Sequence, residues 1–109
     1  MQIRKEQCDS WLVVHLNGRL DADTTAEFNS ALAECVDGGA AKIVLNCKDL
    51  AYISSAGLRG MLNLAKKLAA GKGLLHFCSL SGMVKEVFDI SGFSDMFVIK
   101  DDQDAACRE

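Results

Sequence analysis

Two adjacent hydroxyls, Ser54 and Ser55, sit in "AYISSAGLRGML" (residues 51–62), where an apolar run hands over to a helix-forming one. Three kinds of chemistry are open to a serine there. It can cap the helix, its hydroxyl accepting from a backbone N–H that the first turn leaves unpaired. It can carry a phosphate, which the free N–H groups and the positive end of the helix dipole would favour. It can also act as a nucleophile. "ISSAG" (53–57) partly overlays the elbow G-x-S-x-G, with Ser55 in the middle. Against that last option, Ile53 stands where the elbow needs its first glycine, and a triad needs a histidine within reach. The histidines, His15 and His76, both fall inside predicted strands.

Other reactive groups lead to structural readings. "GGAAK" (38–42) and "GKG" (71–73) precede strands and do not match a phosphate loop, so their glycines read as helix ends that let the chain turn left-handed. The five cysteines, Cys8, Cys35, Cys47, Cys78 and Cys107, contain no C-x-x-C pair and read as reduced thiols. Cys47 and Cys78 lie in apolar runs, as small buried hydrophobes do. His76 and Cys78 have no companions at metal-ligand spacing, so neither a metal nor a cofactor is expected. Arg59, Lys66 and Lys67 follow the serine turn and form either a solvated helix face or a docking face.

The elements that hold these residues alternate between strands and helices. "WLVVHLNG" (11–18) is β-branched and apolar and ends in a turn, with "MQIRKEQ" before it as a pairing edge strand. Phe28, Leu32 and Cys35 recur at helical spacing, Asp21 to Thr25 supply caps, and Gly38-Gly39 stops the helix. Residues 41–47 are largely apolar, which predicts a strand buried on both faces, followed by a loop over 48–53. Leu58, Met61, Leu62, Ala65 and Leu68 give a second helix, and "LLHFCSL" (74–80) a third buried strand. Met83, Val84, Val87 and Phe88 share a third helical stripe ending at Gly92, and "MFVIK" (96–100) is a last strand. The order β-β-α-β-α-β-α-β predicts an α/β domain with a mixed sheet and helices covering at least one face. The polar end, 101–109, reads as a tail.

Composition narrows the function. One hundred and nine residues, half of them hydrophobic, suit one compact domain. Twelve basic against fifteen acidic residues, net −3, argue against a nucleic-acid binder. No apolar run approaches the roughly 18 residues of a membrane span, and residues 1–10 lack a signal-peptide core. The expected location is cytoplasmic, with no membrane insertion.

Three stretches in this order, "LNGRLDADTTAEF", "KIVLNCKDLAYISSAGLRGML" and "FCSLSGMVKEVFDISGFSDMFVI", resemble the STAS domain family, in particular stand-alone bacterial anti-sigma factor antagonists. The resemblance implies a single STAS domain over 1–109 with a core of about 10–100. It also implies a non-enzymatic, partner-switching role. An anti-sigma factor serine kinase binds the unphosphorylated antagonist and lets go of the sigma factor; phosphorylation of the antagonist reverses this, and a PP2C-type phosphatase resets it. Matching the family's Gly-Leu to Gly57-Leu58 puts the acceptor at Ser55 and its expected acidic neighbour at Asp21. Thr24, Ser54, Gly57, Leu58 and Arg59 join Asp21 as implied partner-binding residues. The chain departs from the family at Ser54, where an acidic residue is common, which makes Ser54 the second candidate acceptor, and at Ala56, where the family often has Ser or Thr. The competing role within the same fold is an interaction subunit of a transporter ATPase complex without a phosphoswitch.

Overall fold

The computed structural model describes residues 1–108. Strands β1 (Gln2–Cys8), β2 (Trp11–Leu20), β3 (Lys42–Ile53), β4 (Leu74–Cys78) and β5 (Val98–Lys100) form one sheet in that spatial order. β1 and β2 are antiparallel, joined by a two-residue hairpin in which Asp9 takes a left-handed φ of 56°. All other pairs are parallel, as crossovers through helices require. Those crossovers are α1 (Thr25–Asp37), α2 (Ser55–Ala70) and α3 (Gly82–Ser91), with two further short helices, α4 (Phe93–Met96) and α5 (Gln103–Ala106). The predicted mixed α/β architecture is therefore present.

Period-two alternation divides the sheet's side chains between two cores. Val14, Leu16 and Leu20 of β2, Ile43, Leu45 and Cys47 of β3 and Phe77 of β4 face the helices. There they meet Phe28, Leu32 and Cys35 of α1, Met61, Leu64 and Leu68 of α2, and Val84 and Phe88 of α3. The intervening residues Trp11, Val13, Val44 and Cys78 form a smaller cluster on the opposite face. Residues 43–47 are buried throughout, the polar Asn46 included.

The structure corrects the sequence reading at several places. The stretch 101–109 is not simply a polar tail. Asp102 caps α5, its carboxylate accepting from the Ala105 N–H at 2.9 Å, and Ala106 is fully buried in the smaller cluster. A single helical turn is too short to show a period, and its acidic flanks hide the apolar Ala-Ala-Cys. Glu109 lies outside the described residues. Residues 48–53 are not a loop: β3 pairs with β2 as far as Ile53↔Leu20. Two register shifts, between His15 and Asn17 and between Gly18 and Arg19, break the alternation that would have revealed it. α4 replaces the start of the predicted last strand, entered through Gly92 at a left-handed φ of 85°. Met83 is 37% exposed and off the buried stripe of α3. At the end of α2, Lys72 and neither glycine beside it takes the left-handed conformation, with φ 61°.

Candidate functional site

The two serines divide their tasks by position. Ser54 is extended (φ −99°, ψ 175°) and is the N-cap of α2. Its N–H donates to the Leu20 carbonyl at 2.9 Å, its Oγ accepts from the Gly57 N–H at 3.2 Å, and its carbonyl accepts from the Leu58 N–H at 2.9 Å. Ser55 is the first residue of the helix, and it is exposed. Among the described residues nothing hydrogen-bonds to its hydroxyl. The first-turn N–H groups of Ser55 and Ala56 lie ahead of the helical ladder, where they have no intrahelical acceptor.

Close packing fixes the start of α2. A Cβ on Gly57 would lie 2.8 Å from the Leu20 carbonyl oxygen and 2.9 Å from both Ile53 Cγ1 and Leu20 Cγ. A Cβ on Gly60 would lie 2.8 Å from Asn29 Oδ1 and 3.1 Å from Thr25 Oγ1. The two glycines thus bring α2 hard against the end of β2 and against α1. Gly57 is buried, and its close packing positions the turn. Leu58 is half-buried and packs against the main core, whereas Arg59 is exposed.

Asp21 organises the neighbouring turn. Its Oδ1 accepts from the Asp23 and Thr24 N–H groups at 3.0 and 3.2 Å. Its own N–H donates to Thr24 Oγ1 at 3.0 Å, and the Thr24 hydroxyl donates to the Arg19 carbonyl at 2.8 Å. Burial alone would push the Asp21 carboxyl up, but the hydrogen bonds from Asp23, Thr24 and Arg19 together outweigh it and hold the group below its ordinary value. Asp21 is therefore a fixed negative charge at neutral pH. Arg19 Nε lies 3.5 Å from Asp21 Oδ2, and its guanidinium covers the Tyr52 ring at 4.1 Å.

Two bonds tie the turns together. The Leu20–Ser54 backbone bond means that Asp21 and Ser55 each directly follow one member of a bonded pair. The Thr25 hydroxyl also donates to the Ala56 carbonyl at 3.4 Å. The expected residues Asp21, Thr24, Ser54, Ser55, Leu58 and Arg59 thus gather on the two turns at the carboxyl ends of β2 and β3. Arg19, Tyr52 and Thr25 belong to the same neighbourhood and were missed. Arg19 and Tyr52 are register partners, visible only once β3 is known to continue past Cys47. The histidines are engaged elsewhere: His15 Nε2 pairs with Glu6 Oε1 at 2.7 Å, and His76 Nδ1 lies 2.9 Å from the Ala106 carbonyl.

Among the described residues no helix is long and apolar enough to cross a membrane, and no three His, Cys, Asp or Glu side chains are grouped to hold a metal ion. Residues 2–106 match the model of the STAS domain. The chain is 38% identical over 106 residues to a Bordetella bronchiseptica protein, BtrV, assigned as an anti-sigma factor antagonist, covering 97% of this chain and 91% of that one. A Thermotoga maritima structure with the same assignment superposes with a TM-score of 0.89 at 21% identity, covering 95% and 90% of the two chains. The Bacillus cell fate determinant SpoIIAA in its phosphorylated form superposes with a TM-score of 0.74 at 21% identity, covering 96% of each chain. At these identities the superpositions speak for the fold; the whole-chain family match and the Bordetella relative go further. The chain belongs to the STAS domain family.

Proposed function

We propose that this protein is a phosphorylation-controlled anti-sigma factor antagonist with Ser55 as its phosphate acceptor. The observation that carries the reading is the division between the two serines: Ser54 is spent on capping α2, while Ser55 is exposed with its hydroxyl unengaged among the described residues. In the transfer step, Ser55 Oγ forms a bond to the γ-phosphorus of ATP bound by an anti-sigma factor serine kinase. The bond from that phosphorus to the bridging oxygen of ADP breaks, and the hydroxyl proton passes to a base of the kinase. ATP chemistry of this kind belongs in the cytoplasm.

The unphosphorylated surface around Asp21, Thr24, Ser54, Leu58 and Arg59 docks the kinase and thereby frees the sigma factor. The start of α2 can accept the product without melting, because unpaired N–H groups and the helix dipole favour a phosphate there. The added charge, about −1.5 to −2, sits beside the ionised Asp21, inside the docking surface. Repulsion and the cost of desolvating the phosphate both oppose rebinding. A PP2C-type phosphatase restores the hydroxyl by hydrolysis. The existence of a phosphorylated SpoIIAA structure supports the reading by analogy.

The site assignment is tested by incubating the protein with its cognate kinase and ATP and locating the phosphate by fragmentation mass spectrometry. One phosphate is expected, on Ser55, abolished by Ser55→Ala and retained by Ser54→Ala. A phosphate on Ser54 would overturn the assignment.

A further inference from the structure

The sheet's second face carries a pair of thiols that this function does not use. Cys8 ends β1, and its register partner is Trp11 at the start of β2. Cys107 immediately follows α5. Both are half-buried and pack against the same cluster of Trp11, Val13, Val44, Cys78 and Ala106. Three contacts bring the C-terminal turn to this place. Asn46 Nδ2 donates to Gln103 Oε1 at 3.1 Å, Gln103 Nε2 donates to Glu6 Oε1 at 3.4 Å, and His76, whose ring centroid lies 4.3 Å from that of Trp11, bonds the Ala106 carbonyl. The two thiols lie close enough for Cys8 to bear on the ionisation of Cys107. Residues near opposite ends of the chain are thereby placed side by side, each with partial access to solvent.

We infer that Cys8 and Cys107 are a redox modification site, closing to a disulfide by exchange with a small-molecule disulfide such as oxidised glutathione. The Cys8 thiolate attacks one sulfur of the glutathione disulfide, whose S–S bond breaks and releases one glutathione thiolate. The Cys107 thiolate then attacks Cys8 Sγ, and the mixed disulfide breaks to release the second. Two protein thiols are oxidised, one glutathione disulfide is reduced to two thiols, and the two protons end on the released thiolates. The order follows from the surroundings. Burial, then the neighbouring Cys8 and other nearby groups, push the Cys107 thiol up to about 12, which keeps its thiolate scarce and makes it the poorer first attacker. Cys47 and Cys78 are fully buried and out of reach of the oxidant, and Cys35 is buried but for a small exposed edge.

The bridge would pin α5 to the β1–β2 hairpin. It lies on the opposite face from α2, and near the other end of β2 from Ser55, on the order of 30 Å along a ten-residue strand. The pair is therefore independent of the phosphate acceptor, and its test needs neither kinase nor ATP.

The full-length protein is equilibrated with oxidised glutathione, quenched with acid, unfolded, alkylated and digested. Alkylation at Cys8 and Cys107 is expected to be lost together and a linked peptide pair recovered, with Cys35, Cys47 and Cys78 still alkylated. The oxidised protein should shift to a higher urea midpoint, and reduction should reverse both changes. Cys107→Ser should stop at a glutathione adduct on Cys8, and Cys8→Ser should leave Cys107 alkylated. Full alkylation of the wild type, a lasting glutathione adduct on Cys8 beside an alkylated Cys107, or a bridge to Cys78 would each refute the pairing.

Discussion

Ser54 and Ser55 carry the same functional group and differ by one step along the chain, yet they have opposite relations to the fold. Ser54 makes three hydrogen bonds at the strand-to-helix corner, and Ser55 projects from the first helical position with none at its hydroxyl among the described residues. Their alanine variants should therefore separate cleanly. Ser54→Ala removes an N-cap and is expected to cost about 1 kcal/mol. Ser55→Ala changes an exposed residue and should stay within about 0.5 kcal/mol of wild type. Urea denaturation of both variants checks this, and equal losses would show that the cap has been misassigned. The serine pair was legible in the sequence as a cap and a candidate acceptor, but residue types alone did not say which was which. The family resemblance, with its Gly-Leu matched to Gly57-Leu58, pointed to Ser55. The Arg19–Tyr52 stack beside Asp21 was not legible, because it depends on strand pairing across residues that read as a loop.

At the level of elements, α2 is aimed by what its first turns lack. Gly57 has no room for a methyl group: one of the atoms in the way, the Leu20 carbonyl oxygen, is backbone and cannot swing aside. Replacing glycine by alanine inside a helix gains about 1 kcal/mol in propensity, but overpacking a tight contact costs about 1–3 kcal/mol. At the helix start the propensity gain is at its smallest, so the clash should win. Gly57→Ala is expected to lower stability by about 1–2 kcal/mol and to slow phosphorylation of Ser55, since α2 must shift from β2. Gly71→Ala is the control, because its Cβ would come no nearer than 3.7 Å to the Leu68 carbonyl oxygen. If both variants unfold at the same urea concentration, the close approach does not set the position of α2. The long helices and the buried stretch of β3 were readable because Phe28, Leu32 and Cys35, or the largely apolar run 43–47, carry a clear pattern. The end of β3 was obscured by its register shifts, and α5 by its single turn.

Over the whole molecule, the sheet separates two kinds of chemistry. Its helical face ends in the paired turns of Asp21 and Ser55, at the carboxyl ends of β2 and β3. Its other face holds the thiols near the amino end of β2. The turns are tied by a backbone bond, by the Thr25 hydroxyl and by glycine packing, so a phosphate at Ser55 need not rearrange the fold. On this account the switch lies in surface charge and solvation. The overall order of elements was legible in the sequence because each crossover helix has its own apolar stripe. The sheet's second core was not, because Trp11, Val13, Val44, Cys78 and Ala106 come from four separate segments. The central claim is that a phosphate on Ser55 weakens docking of the anti-sigma factor kinase, and calorimetry tests it most directly. Titrating the kinase with unphosphorylated and with Ser55-phosphorylated protein should show at least about a tenfold loss of affinity, roughly 1.4 kcal/mol, growing as ionic strength falls. Equal affinity for the two forms would contradict it.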